Sequence, residues 1–249
     1  MSVITISRQL GSLGTEVAQA VANRLNYQYV DKEKIGKALS GYGLPALQIE
    51  KFDEKKPPFW NSFQMQKSRF QHCLAAVIYD FARKGKAVIV GRGGQVLLRN
   101  LPGVLHVRMV APLEVRLKRI MTLEGGDEKK STQILHRSDR DSAGFLHSFF
   151  DTDWEEQSLY DLIINTHKLS VDCCVQMIVE SILSPEIKEG EKRAEEKLAD
   201  LALAQKLEAI LMATLEVDFR NVTVQSKGGV VNISGHVNSE LLKADCLRA

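Results

Sequence analysis

Apolar positions along this chain fall into two alternating patterns. Val3-Ile4-Thr5-Ile6, Ala87-Val88-Ile89-Val90, Val104 to Val110 and Leu162-Ile163-Ile164 are short, nearly continuous apolar runs, the mark of strands buried on both faces of a parallel sheet. Tyr27-Gln28-Tyr29-Val30 adds another, ending at Asp31. Between them the spacing changes to three and four: Val17, Val21, Ala22 and Leu25; Ile35, Ala38 and Leu39; Phe70, Leu74, Val77, Ile78 and Phe81 within 64–84; and the closing run 171–183. These are helical periods. Strand and helix alternate, which predicts an α/β fold with a parallel sheet, right-handed crossovers and flanking helices.

The breaks are equally informative. Gly41, Gly43 and Pro45 interrupt the chain, and the charged, Pro-containing stretch 52–59 reads as a surface excursion suited to covering a substrate. Pro112 opens a helix carrying Arg116 and Arg119 at i, i+3, on one face. After the Gly-rich, charged stretch 124–132 comes a polar helix bearing Arg137, Asp139, Arg140 and Asp141, either a lid over phosphates or a solvated face. Residues 185–197 shift sharply to charge and predict a linker, with a helix resuming at Ala194. Val222 to Gly235, with Gly228-Gly229 at its centre, predicts a hairpin, and a last helix is expected to begin near Ser239. The expected domains are therefore 1–184, a charged linker 185–197, and a small C-terminal α+β unit over 198–249.

Composition narrows the classes. A chain of 249 residues that is 44% hydrophobic can bury one sizeable core and a smaller second unit. Its net charge of +2 does not by itself point to nucleic acid. Cys73, Cys173, Cys174 and Cys246 lack metal-ligand spacing, as do His106, His136, His147 and His167, so both sets read as structural. No apolar run approaches the roughly 18 residues of a membrane span, and the N-terminus reads as a strand rather than a leader, so a cytoplasmic protein with reduced thiols is expected.

Two stretches carry candidate chemistry. Ser7-Arg8-Gln9-Leu10-Gly11-Ser12-Leu13-Gly14-Thr15 joins the first strand to the first helix. Glycines there let backbone amides close on phosphate oxygens, and the helix start turns its dipole toward an anion. Aligned on G-x-x-x-x-G-K-[ST] with Thr15 last, the loop has Gly14 at the lysine, Leu13 at the final glycine and Arg8 at the first. An ordinary strand-to-helix turn remains the alternative. The second stretch is Gly91-Arg92-Gly93-Gly94, at the C-terminal end of a buried strand. Ligands gather at such ends, and arginine's planar fork suits phosphate.

Ile4 to Gln9 with Gly11-Ser12 and Gly14, Asp31-Lys32-Glu33, Val88 to Gly93, Val110 to Glu114, Asp153-Trp154 and Tyr160 to Thr166 together resemble the cytidylate kinase-like family over roughly residues 1–183. That resemblance implies a P-loop NTPase-type sheet and transfer of the ATP γ-phosphoryl group to CMP or dCMP with Mg²⁺. It implies that Ser7, Gly11, Ser12, Leu13, Gly14 and Thr15 hold the donor's phosphates, with Thr15 near the metal. Asp31, Lys37, Arg92 and Asp141 would contact the nucleoside monophosphate, and Arg8, Arg92, Arg119 and Arg137 would neutralise charge during transfer. The departures are the absent Walker lysine, Leu13 in place of the family's glycine, Gly93 in place of an Asp, and Ser142 and Gly144 where lid arginines are expected. Residues from about 200, chiefly 222–237, resemble the first part of a BON domain, implying a membrane or protein partner, and an open sheet edge there would permit self-association. A regulatory protein that binds nucleotide without turnover is the competing reading.

Overall fold

The computed structural model describes residues 2–42, 44, 61–214, 222–236 and 243–244. The excursion expected over 52–59, the breaks at Gly43 and Pro45, and the helix start expected near Ser239 lie outside the described residues. The chain divides into two compact units, 1–32 with 85–192, and 33–84 with 193–249.

The first unit is built on five parallel strands, β1 (Val3–Arg8), β2 (Gln28–Val30), β3 (Ala87–Val90), β4 (Val104–Val110) and β5 (Leu162–Asn165), in the order β2-β3-β1-β4-β5. β1 is central: Ile4 pairs with Val88 on one side and with Leu105 on the other. Helices α1 (Gly14–Leu25), α2 (Lys32–Ser40) and α3 (Asn61–Lys84) precede β3. After it come α4 (Gly94–Leu97), α5 (Leu113–Glu124), α6 (Glu128–Phe150), α7 (Val171–Ile182) and α8 (Pro185–Thr214).

Period-two alternation sorts each strand onto two faces. Ile4, Ile6, Val88, Val90, Leu105, Val107, Met109 and Ile164 pack in one layer with Val17, Val21 and Ala22 of α1 and Cys174, Val175 and Ile178 of α7. Burying each large aliphatic side chain stabilises the fold by roughly 1.5–3 kcal/mol, so this layer fixes which strands are neighbours. The opposite face of the two central strands is polar yet buried, with Thr5, Ser7, His106 and Arg108. Most of their polar atoms find local partners, while His106 Nε2 and Arg108 Nε are buried without one. Thr5 Oγ1 lies 2.8 Å from His106 Nδ1, and the His106 amide donates to Asp161 Oδ2 at 2.8 Å.

Local signals account for the helix starts. Asp127 caps α6 by accepting from the Lys130 amide at 2.7 Å, and Ser170 caps α7 by accepting from Cys173 at 3.2 Å. α1 has no side-chain cap, so its first amides are left for something else.

Two domain expectations need correction. Residues 185–197, expected as a charged linker, are helical: α8 runs unbroken from Pro185 to Thr214, and the division between the two units falls within it at 192/193. Glu and Lys are good helix formers, and Gly190 allows close packing. A Cβ at Gly190 would stand 2.6 Å from the amide nitrogen of Gly103. Segment 33–84, expected within the first domain, groups instead with 193–249. In that second unit, the hairpin strands β6 (Val222–Lys227) and β7 (Val230–Gly235) set Val222 and Val224 against Ala204 and Leu211 of α8. Asp200 holds the turn, accepting from the Gly228 and Gly229 amides at 2.8 and 2.9 Å and from Ser226 Oγ at 2.7 Å.

Candidate functional site

The loop between β1 and α1 has an unusual division of its backbone groups. Each carbonyl from Gln9 to Leu13 is taken up on the loop's outer side. Gln9 O accepts from the Ser12 amide and hydroxyl at 3.2 and 2.7 Å, and Leu10 O from Arg116 Nη1 at 3.4 Å. Gly11 O accepts from Arg119 Nη1 at 3.0 Å, Ser12 O from Thr166 Oγ1 at 2.9 Å, and Leu13 O from the Val17 amide at 3.0 Å. The amides of Gly11, Leu13, Gly14 and Thr15, by contrast, donate to no group among the described residues. Carbonyls turned away and amides left open, at a helix N-terminus, make an anion cradle. Leu13 sits at φ 59° to permit this turn, a left-handed conformation that costs a non-glycine residue about 1 kcal/mol or more.

Cations approach the cradle from two strand ends. Arg8 closes β1, and its side chain passes Gly14 and reaches Gly91, where its Nη1 would be 3.3 Å from a Cβ at that position. Burial lowers the Arg8 proton affinity, and the nearby Tyr29 opposes that. Arg92, just beyond β3, is pulled down to about 10, by burial first and then by the like charge of Arg8. Two guanidiniums held this way favour an anion between them.

The last turns of α6 wall this region. The Arg92 guanidinium lies 5.5 Å from the centre of the Phe145 ring, a cation–π contact, and Phe145 packs on Phe149 and Phe150. A Cβ on Gly93, at φ +72°, would meet the Phe150 ring at 2.3 Å. The expected family Asp after Arg92 is therefore excluded here by an aromatic ring.

The expected site residues divide into those this geometry gathers and those it does not. Gly11, Leu13, Gly14 and Thr15 form the cradle, with Arg8 and Arg92 beside it. Ser12 and Ser7 are interior: Ser12 is fully buried and shapes the turn, and Ser7 Oγ accepts from Trp154 Nε1 at 2.7 Å on the polar face. Neither hydroxyl is presented to a ligand. Arg119 is no lid residue. Its guanidinium is spent on Gly11 O, Thr166 Oγ1 at 2.9 Å and Thr166 O at 2.8 Å, behind the loop. Arg137 and Asp141 pair with each other at 3.7 Å along the exposed side of α6. Asp31 follows β2 directly, and its charge, like that of Arg8, acts on Tyr29. Lys37 is an exposed residue of α2 in the second unit.

Three further residues lie outside the expected site set. Arg116, 4% exposed, donates to both oxygens of Asp139 at 3.0 and 2.8 Å and so ties α6 to the loop. Arg108 is buried on β4 between the Trp154 and Tyr160 rings, 4.8 and 5.4 Å from their centres, and donates to the Trp154 carbonyl. Its one signal was a charge inside an apolar strand. Thr166, just past β5, is the loop's third brace.

An open parallel sheet carrying an anion cradle between its central strand and first helix defines a P-loop kinase-type fold. Residues 3–168 match the cytidylate kinase-like family, and the chain belongs to that family. Its curated relatives include the cytidylate kinase of Haloarcula marismortui, 26% identical over 204 residues, covering 78% of this chain and 96% of that one. The cytidylate kinase of Natronomonas pharaonis is 28% identical over 208 residues, with the same shares covered. A stretch of 94 residues is 30% identical to the uronate isomerase of Corynebacterium glutamicum, but it covers only 18% of that protein. Among solved structures, an uncharacterized protein from Eubacterium ventriosum has the same fold, with TM-score 0.58 and 22% identity over 74% of this chain and 99% of its own. Among the described residues no helix is long and apolar enough to cross a membrane.

Proposed function

We propose that this protein is an ATP-dependent nucleoside monophosphate kinase whose acceptor is CMP or dCMP. The observation that supports this best is the set of open amides at Gly11, Leu13, Gly14 and Thr15, with Arg8 and Arg92 alongside. The acceptor is argued from the cytidylate kinases covered almost end to end at 26 and 28% identity.

Phosphoryl transfer asks the protein for position and charge rather than covalent chemistry. The cradle amides would hold the donor's phosphates and, with the α1 dipole, favour their negative charge. Arg92 would take the acceptor phosphate, its guanidinium kept beside the Phe145 ring. Asp31, at the neighbouring strand end, would contact the nucleoside. No side chain is needed as a strong base, because a phosphate oxygen is already nucleophilic. Mg²⁺, when bound with the nucleotide, supplies further charge neutralisation. The exposed Thr15 hydroxyl at the start of α1 is a hard oxygen suited to it, and among the described residues no cluster of three His, Cys, Asp or Glu competes for that role.

The test is diphosphate formation from Mg-ATP and each nucleoside monophosphate in turn, with Arg92→Ala as control. CDP or dCDP that disappears in the variant supports the proposal. ATP binding with no product from any acceptor favours a regulatory nucleotide-binding protein instead.

A further inference from the structure

Position 14 is where a P-loop carries its lysine, and here the space for any side chain at that position is already occupied. A Cβ on Gly14 would lie 2.4 Å from Arg8 Cβ, 2.9 Å from Arg8 Cγ and 3.1 Å from Met109 Cβ. Its nearest neighbours are the stem of Arg8 rather than a flexible tip, so relief would require moving β1 or α1. The stem then leads the guanidinium toward Gly91, the residue preceding Arg92. Glycine at both ends of its path lets a long cation lie flat between the cradle and Arg92.

A structural arginine in such a place would be tied to acceptors, as Arg116 is to Asp139 and Arg119 to Gly11 and Thr166. The Arg8 side chain makes no hydrogen bond or ion pair among the described residues, although it is half-buried. A partly desolvated cation whose side chain has no partner among the described residues, beside four open amides, is arranged for an anion that arrives later.

We infer that Arg8 and Gly14 are an exchanged pair: the phosphate cation that a P-loop lysine delivers from the first turn of the helix is delivered here by Arg8 from the end of β1. Gly14 is glycine because the Arg8 stem fills the space its side chain would need. This rests on the phosphate-binding reading of the loop and deepens it. It assigns Arg8 to the phosphoryl oxygens between donor and acceptor, where its fork engages two oxygens in place of the lysine's single point of charge. It also accounts for a chain that lacks the Walker lysine and still preserves the rest of the cradle.

The exchange predicts a pattern that neither residue alone would give. Mg-ATP affinity is measured by isothermal titration on the full chain for the wild type, Arg8→Met, Gly14→Lys and the double variant Arg8→Gly/Gly14→Lys, in which both stem atoms that crowd position 14 are removed. Losing a charged hydrogen-bond partner weakens Mg-ATP binding by about tenfold to a hundredfold in Arg8→Met. Gly14→Lys also loses affinity, because its stem collides with that of Arg8. The double variant, with the lysine restored and the obstructing Arg8 Cβ and Cγ gone, binds at least about tenfold better than Gly14→Lys. Thermal unfolding separates this from a structural role, since removing a partly desolvated charge without a partner among the described residues leaves Arg8→Met melting at the wild-type temperature or above. The inference is overturned if Arg8→Met binds Mg-ATP as tightly as the wild type or melts well below it. It is also overturned if the double variant is no better than Gly14→Lys, or if the wild type does not bind Mg-ATP. A wild type that binds in this pattern but forms no diphosphate supports the exchange while removing the kinase reading.

Discussion

Arg119 Nη1 stands 3.0 Å from the carbonyl oxygen of Gly11, which makes it a brace on the back of the cradle. The same side chain holds Thr166, whose hydroxyl in turn donates to Ser12 O at 2.9 Å. Arg119→Ala removes the donor to the Gly11 and Thr166 carbonyls, at about 1–3 kcal/mol. A lower denaturant midpoint and weaker Mg-ATP binding are expected together. Arg137→Ala, whose side chain is 71% exposed and pairs with Asp141, is expected to change stability by less than about 0.5 kcal/mol. Urea titration of the two variants checks the contrast.

The Phe150 ring occupies the space beside Gly93. Gly93→Asp forces that ring aside and strains a left-handed backbone, destabilising the protein by roughly 1–3 kcal/mol. Because Arg92 shares the same turn, the KM for the acceptor is expected to rise more than the KM for ATP. Steady-state kinetics with each substrate varied separately reads this out.

His106 gives the fold a defined pH response. Burial lowers its proton affinity, the nearby Asp161 charge opposes that, and Nδ1 faces the Thr5 hydroxyl. The unfolded chain takes up a proton near pH 6.5 that the fold refuses. Stability contributed by neutral His106 is therefore full above about pH 6.5 and declines as the pH falls from there toward the lowered folded value. His106→Gln is expected to show a smaller loss of stability between about pH 7.5 and pH 5 than the wild type, measured by urea midpoints.

Thiol chemistry should separate the cysteines. Cys73 is buried and its thiol is pushed up to about 11, and Cys174 is buried and raised as well, while Cys173 is exposed. The thiolate is the reactive form. In a Cys246→Ser background, one thiol is expected to react quickly with an aromatic disulfide reagent at pH 8, and Cys173→Ser removes that phase.

What the sequence made legible follows from how local each signal is. Parallel strands buried on both faces are continuous apolar runs, so β1, β3 and β4 stand out, as does β5, although at the sheet's edge its Ile163 is exposed, and Arg92 stands out because glycines flank it at a strand end. Arg119 does not, because its role depends on a loop carbonyl 108 positions away. Arg108 was hidden likewise, since the rings that hold it lie at Trp154 and Tyr160. The charged composition of 185–197 hides its helix, and the glycine within it, Gly190, meets the close approach of Pro102 and Gly103. The grouping of 33–84 with the C-terminal residues leaves no local trace, because it is a property of packing between segments far apart in the chain.

The central claim is that the cradle and its arginines carry a phosphoryl group from ATP to a nucleoside monophosphate. Phosphorus NMR on a mixture of the protein with Mg-ATP and CMP tests it most directly. The expected result is loss of the ATP γ-phosphate signal matched one for one by growth of CDP, and absent with Arg8→Met or Arg92→Ala. ATP consumed to inorganic phosphate without CDP, or spectra unchanged while ATP is bound, would contradict it.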